Sequence, residues 1–140
     1  MTRRARAPAL PWLEPGDPFP ALDTAWGADA PAPGLLAAGG ALDTATLCDA
    51  YAHGIFPWFS EGQPILWWSP DPRMVLLPDA FRLHRSLRRT LQRFQVQAGC
   101  EVRFDTAFAD VIRLCAGTRE TASGGTWILP QMQRAYIDLH

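Results

Sequence analysis

The sequence predicts an α+β chain, and three observations point to that class. Leu83, Leu87, Leu91 and Phe94 recur at helical spacing, as do Phe108, Val111, Ile112 and Cys115 further on. Ile65–Trp68 and Arg73–Leu77 (R-M-V-L-L) are short apolar runs, each closed within two residues by proline. No internal repeat relates these segments, so neither a solenoid nor a propeller fits. With 140 residues the chain is one ordinary domain, or one small domain plus part of another.

Residues 1–33 are Pro- and Ala-rich, with Pro15, Pro18 and Pro20 at close spacing. Leu10–Leu13 and Phe19–Leu22 read as short extended pieces and the rest as loop. Met1-Thr-Arg-Arg-Ala-Arg is basic, but Ala7–Pro18 carries Pro, Glu and Asp where a leader peptide needs an apolar stretch. That segment is expected to be a frayed terminus of a cytoplasmic protein. Gly34–Asp43 reads as a small-residue bend. Asp43 or Thr44 then caps a helix running through Leu47, Ala50 and Tyr51 to His53, with Gly54 just beyond its end. His53 is expected to act as a capping or surface residue.

Gly54–Arg73 (G-I-F-P-W-F-S-E-G-Q-P-I-L-W-W-S-P-D-P-R) holds three of the six tryptophans, two phenylalanines and four prolines. Proline at 57, 64, 70 and 72 excludes a helix, because each lacks a donor and pushes its predecessor out of the α region. The expected backbone is extended and turn-rich around one short strand at Ile65–Trp68. Such a segment presents rigid aromatic faces to a flat ligand at low entropic cost, or fills a core with them.

Composition restricts the chemistry. The chain is 48% hydrophobic and 19% charged, with no apolar run near the ~20 residues of a membrane span. Cys48, Cys100 and Cys115 are far apart and fit neither a disulfide framework nor a zinc ribbon, so buried thiols are expected. All thirteen basic residues are arginine, which rules out a phosphate-loop or Schiff-base lysine here. Arg82, Arg85, Arg88, Arg89 and Arg93 crowd into one segment, and no acid occurs between Asp79 and Glu101. In a helix over Arg82–Phe94 the leucines take one face, which the pattern expects to be buried, and the arginines the other. An all-positive face without i,i+4 carboxylates suits a polyanion better than plain solvation. Arginines one turn apart match the phosphates of a nucleic-acid backbone.

Beyond it, Gln95–Phe104 is expected as a strand and Asp105 or Thr106 as the cap of a helix ending at Gly117. Thr118–Gly125 reads as a flexible loop and Pro130–Leu139 as a last helix. There is no G-x-G-x-x-G, G-x-x-x-x-G-K, H-E-x-x-H or G-x-S-x-G.

G-I-F-P-W-F-S at 54–60 followed by P-I-L-W-W-S-P-D-P-R at 64–73 resembles the bacterial leucyl/phenylalanyl-tRNA–protein transferases. G-L-L-A-A-G-G-A-L at 34–42, A-Y-x-x-G at 50–54, the basic helix at 85–93, G-T-W-I at 125–128 and A-Y-x-x-L-H at 135–140 extend the resemblance in the same order. It covers about Gly34 to His140.

The resemblance implies transfer of Leu or Phe from charged tRNA to the N-terminal Arg or Lys of an acceptor protein, an N-degron tag for degradation. The Pro/Ala-rich segment at 1–33 lies outside it, and the resemblance implies a small N-terminal domain at 34–71 and the start of a GNAT-like acyltransferase domain at 72–140. It implies no ATP, metal, acetyl-CoA or membrane. Trp58 and Trp127 correspond to residues that contact the terminal adenosine of tRNA, and Arg85, Arg89 and Arg93 to tRNA-binding positions; another basic position of the family falls on Gln92. The family's aminoacyl pocket and its carboxylate–glutamine pair lie beyond the position matching His140. No catalytic residue is therefore expected here, and the chain is expected to be a fragment that is inactive alone. The alternative reading is a non-catalytic tRNA-, RNA- or protein-binding module. An acetyl-CoA enzyme fits less well without a Gly-rich pyrophosphate turn.

Overall fold

A computed structural model describes residues 9–123 and 126–140. The first eight residues and the Gly124–Gly125 end of the expected loop lie outside them. The described chain is α+β, with a four-stranded mixed sheet and four α-helices. It divides into two compact units. One comprises the residues up to Asp71 together with Phe108–His140, the other Pro72–Ala107.

In the first unit the strands are β1 (Trp12–Leu13), β2 (Leu35–Gly39), β3 (Phe56–Pro57) and β4 (Leu66–Trp68). Their order is β1-β2-β4-β3, parallel between β1 and β2 and antiparallel elsewhere. β2 occupies the place where a small-residue bend was expected. Small side chains there serve burial: all five residues of the strand are buried. The register slips between Leu35 and Ala37, which pair with Trp68 and Trp67. The resulting bulge lets neighbouring Leu36 and Ala37 enter the same cluster, although strand neighbours normally face opposite ways. Gly39 ends β2 at φ +85°, and an added Cβ would lie 2.5 Å from the Leu13 carbonyl oxygen. Only glycine lets β1 approach so closely.

Helix α1 (Thr44–Ala52) is capped as the sequence suggests. The Asp43 carboxylate accepts from the Thr46 backbone N–H at 2.8 Å and the Thr46 hydroxyl at 2.9 Å. Helices α3 (Phe108–Ser123) and α4 (Pro130–Leu139) complete the unit, and α4 packs against both α1 and α3. The α3 backbone continues past Gly117 to Ser123, through residues read as a loop. Arg119, Glu120 and Ala122 favour helix, and one interior glycine costs only about 1 kcal/mol.

The main core joins Leu13, Leu36, Ala37, Leu47, Ala50, Ile55, Trp67 and Ala135. Residues from both ends of the chain thus seal one interior. Burying a side chain such as Leu36 or Leu47 contributes about 1.5–3 kcal/mol. Two smaller clusters, Phe59–Leu129–Met132 and Ile112–Ala116–Ile128, extend this core along α4 and α3. The thiols differ from expectation: Cys48 and Cys115 are exposed and Cys100 is half-buried.

The second unit holds α2 (Arg85–Val96) and a 3-10 turn at Pro78–Ala80. The sequence expected strands at Arg73–Leu77 and Gln95–Phe104, but neither forms among the described residues. Arg73–Leu77 precedes the turn as irregular backbone with Met74, Val75, Leu76 and Leu77 exposed, and Gln95 and Val96 continue the helix. A strand needs a ladder partner, and this unit offers none. The leucine face of α2 is likewise not buried: Leu87 and Leu91 are each 43% exposed. Amphipathic pattern forms the helix, but burial needs a second apolar surface.

Candidate functional site

Alternation along the aromatic stretch sorts its rings. From Phe56 to Phe59 the residues run half-buried, buried, exposed, buried, so Pro57 and Phe59 turn inward and Trp58 turns out. Trp58 is 51% exposed, whereas Trp67 is fully buried. The outward ring sits on a braced backbone. The Trp58 N–H donates to the Leu66 carbonyl at 2.9 Å, and the Trp68 indole Nε1–H donates to the Trp58 carbonyl at 2.7 Å. The Trp58 and Trp68 rings lie 5.7 Å apart at 52°. Gly62, at φ +80°, and a Ser60 N–H bond to Gln63 Oε1 at 2.8 Å close the turn between the strands. Trp58 is thus a pre-positioned aromatic face that needs little ordering to stack on a flat ligand.

Trp127 occupies a bend in the irregular residues leading into α4. Its indole is half-buried and packs against both smaller clusters, one of which contains Phe59, the residue after Trp58. The following segment is tied down by the Ile128 N–H donating to Thr126 Oγ1 at 3.1 Å and the Gln133 side chain donating to the Ile128 carbonyl at 3.2 Å. Both tryptophans therefore stand on structure anchored in the first unit.

The sequence reading missed a tyrosine pair. Across α1 and α4 the Tyr51 and Tyr136 hydroxyls form a hydrogen bond in which either could donate. The rings lie 6.3 Å apart. Buried Ala50 and Ala135 precede the two tyrosines and, having no bulk, let the helices close until the phenols meet. The repeated Ala-Tyr pair, at 50–51 and 135–136, was the available signal. Burial first, then the bond to Tyr51 and the charge Tyr51 would carry, push the Tyr136 pKa upward. Tyr136 therefore stays a neutral phenol at physiological pH. It also packs beside Trp127 in both small clusters, so the pair supports the wall behind that indole. His53 takes the capping role, with Nδ1 2.8 Å from the Asp49 carbonyl oxygen and 3.3 Å from its carboxylate.

The second unit carries Arg85, Arg89 and Arg93, all exposed on α2. Among the described residues no acidic side chain pairs with any arginine of this helix. No group of three or more metal-ligating side chains gathers among the described residues, and no helix there is long and apolar enough to cross a membrane.

These features define an α+β protein that displays a braced tryptophan on a small mixed sheet and carries unpaired arginines along a separate helix. Two family models match it: the leucyl/phenylalanyl-tRNA protein transferase N-terminal domain over residues 40–71, and the leucyl/phenylalanyl-tRNA protein transferase itself over residues 75–140. The chain belongs to that family. It is 58% identical over 131 residues to the leucyl/phenylalanyl-tRNA–protein transferase of a Polaromonas species, a match covering 94% of this chain and 51% of that protein. The protein of that name from Albidiferax ferrireducens is 53% identical over 136 residues, covering 97% and 54%. The one from Leptothrix cholodnii is 57% identical over 135 residues, covering 94% and 52%. The chain spans about half the length of the curated relatives it matches. The matches also take in most of the Pro- and Ala-rich opening, which the resemblance had placed outside the family. Leu13 in the core and Phe19 edge-on to Trp67 at 4.8 Å give that segment a structural reason to be shared.

Proposed function

We propose that this chain is the N-terminal part of an aminoacyltransferase that takes Leu or Phe from charged tRNA. The acceptor is the N-terminal Arg or Lys of a protein, which the added residue marks for degradation in the cytoplasm. The observation that carries this reading is Trp58, outward and braced within the family's aromatic motif.

Trp58 and Trp127 would contact the terminal adenosine of tRNA. Stacking a base on an aromatic ring contributes about 1–3 kcal/mol without reading its edges, which suits a 3′ nucleotide common to every tRNA. Arg85, Arg89 and Arg93 would add phosphate contacts whose strength falls with salt. The aminoacyl ester is already activated, so amide formation runs downhill without ATP. The attacking α-amine, with a pKa of about 7.7–8.0, is partly neutral near pH 7. The remaining demands are positioning, stabilisation of the oxyanion and removal of a proton. Reaction-centre groups would come from the half of the family protein beyond residues matching His140. In this reading residues 34–71 form a small N-terminal domain and 72–140 begin a GNAT-like domain. The exposed Met74–Leu77 run leaves apolar side chains for the rest of such a domain to cover.

The test is Trp58→Ala with tRNA binding as the readout. Losing about 1–3 kcal/mol of stacking should raise the dissociation constant by about 5- to 150-fold, with the far-UV circular dichroism spectrum unchanged. An unaltered dissociation constant would refute the assignment of Trp58.

A further inference from the structure

The face of α2 has more structure than a row of charges. Leu83, Arg85, Arg88, Arg89 and Gln92 line a single open concavity of about 490 Å³ within the second unit. Arg85, Arg88, Arg89 and Gln92 stand at i, i+3, i+4 and i+7, the spacing that brings side chains onto one helical face. Three guanidinium groups and one carboxamide thus meet around it. No carboxylate lines it, and none of the three arginines has an acidic partner among the described residues. Like charges held this close repel unless an anion joins them.

We propose that Arg88 is a further phosphate-binding residue, and that this concavity seats a stretch of nucleic-acid backbone between Arg85, Arg88 and Arg89. This rests on the tRNA reading above and deepens it. Arg88 does not fall on any position the family resemblance supplies, and Arg93, which does, is not among the lining residues. The planar forks of Arg85, Arg88 and Arg89 suit paired phosphate oxygens. Gln92 adds a hydrogen-bond donor without charge. Arg88 brings a third cation to the same lining.

The experiment titrates the full chain with deacylated bulk tRNA at several salt concentrations. Each phosphate contact contributes about 0.7–0.9 to the slope of log affinity against log salt. Arg88→Gln should flatten that slope by about this amount and weaken binding about 5- to 8-fold at 0.1 M salt. Gln92→Arg should steepen it by a similar amount, a gain that loss of folding cannot imitate. If both variants keep the parental slope while Arg85→Gln flattens it, the inference about Arg88 and the seat is overturned and the tRNA reading survives. If the parent chain binds tRNA without any salt slope, both are overturned.

Discussion

Trp67→Phe tests whether the aromatic stretch is held by its core ring. Trp67 is fully buried, lies edge-on to Phe19 at 4.8 Å and pairs across the sheet with Ala37 and Pro57. Its Nε1–H donates to the Gly39 carbonyl at 2.9 Å, tying β4 to the glycine that closes on β1. Phenylalanine keeps a ring but removes the donor and part of the volume. A buried carbonyl deprived of its partner costs about 1–3 kcal/mol, and the unfilled space adds about 1–2 kcal/mol. The expected loss is about 3 kcal/mol, a large share of the 5–15 kcal/mol that stabilises a typical domain. Urea unfolding followed by far-UV circular dichroism avoids the lost fluorophore. At about 1–3 kcal/mol per molar urea, the midpoint should fall by roughly 1–3 M. The same change at half-exposed Trp58 should cost under about 1 kcal/mol. A Trp67→Phe loss below about 1 kcal/mol would show that the indole bond does not hold the sheet together.

Two further outcomes concern titrating groups. Asp43→Ala should cost about 1 kcal/mol at neutral pH by uncapping α1. The Thr46 backbone and side-chain bonds hold the Asp43 carboxyl below its ordinary value of 3.8, so the stabilisation is complete above about pH 4 and disappears as pH falls through the lowered value. Parent and variant should therefore converge in acid-unfolding curves; a constant gap down to pH 2 would contradict the cap. Tyr136 works in the opposite direction. Its raised pKa means the unfolded chain releases that proton first, so stability falls as pH rises beyond the ordinary tyrosine value of 10.0. Tyr136→Phe should be less stable than the parent at pH 8 but lose less between pH 8 and 10.5. Parallel losses would place the phenol in solvent.

The sequence showed most of the fold where local rules are strong. Asp43, Gly54 and Pro130 marked helix ends because capping and ring constraints act within a few residues. It failed where long-range partners decide. Leu35–Gly39 looked like a bend because its residues are small, yet pairing with Trp67 and Trp68 on one side and β1 on the other makes it an inner strand. Arg73–Leu77 looked like a strand because its residues are aliphatic, yet no neighbour pairs with it among the described residues. At the candidate site, proline density pointed to rigid aromatic rings, displayed or in a core, but only packing distinguishes Trp58 from Trp67. The Tyr51–Tyr136 bond joins residues 85 positions apart, beyond any local pattern.

Three tryptophans within eleven residues divide the work of one motif. Trp67 secures the sheet through Gly39, Trp68 fixes the Trp58 carbonyl, and Trp58 is left with its face outward. That arrangement explains why so apolar a stretch can occupy an exposed turn. Two of the rings keep the backbone from adapting, so the third is already ordered without a ligand. The same economy appears in α1 and α4, where Ala50 and Ala135 bring two phenols together behind Trp127. In both places a small or buried residue positions an aromatic neighbour one step along the chain. If Trp58 and Trp127 hold the terminal nucleotide as proposed, a substitution that repacks Ala50 or Trp67 should weaken tRNA binding without touching either ring, and an unchanged dissociation constant would refute that coupling.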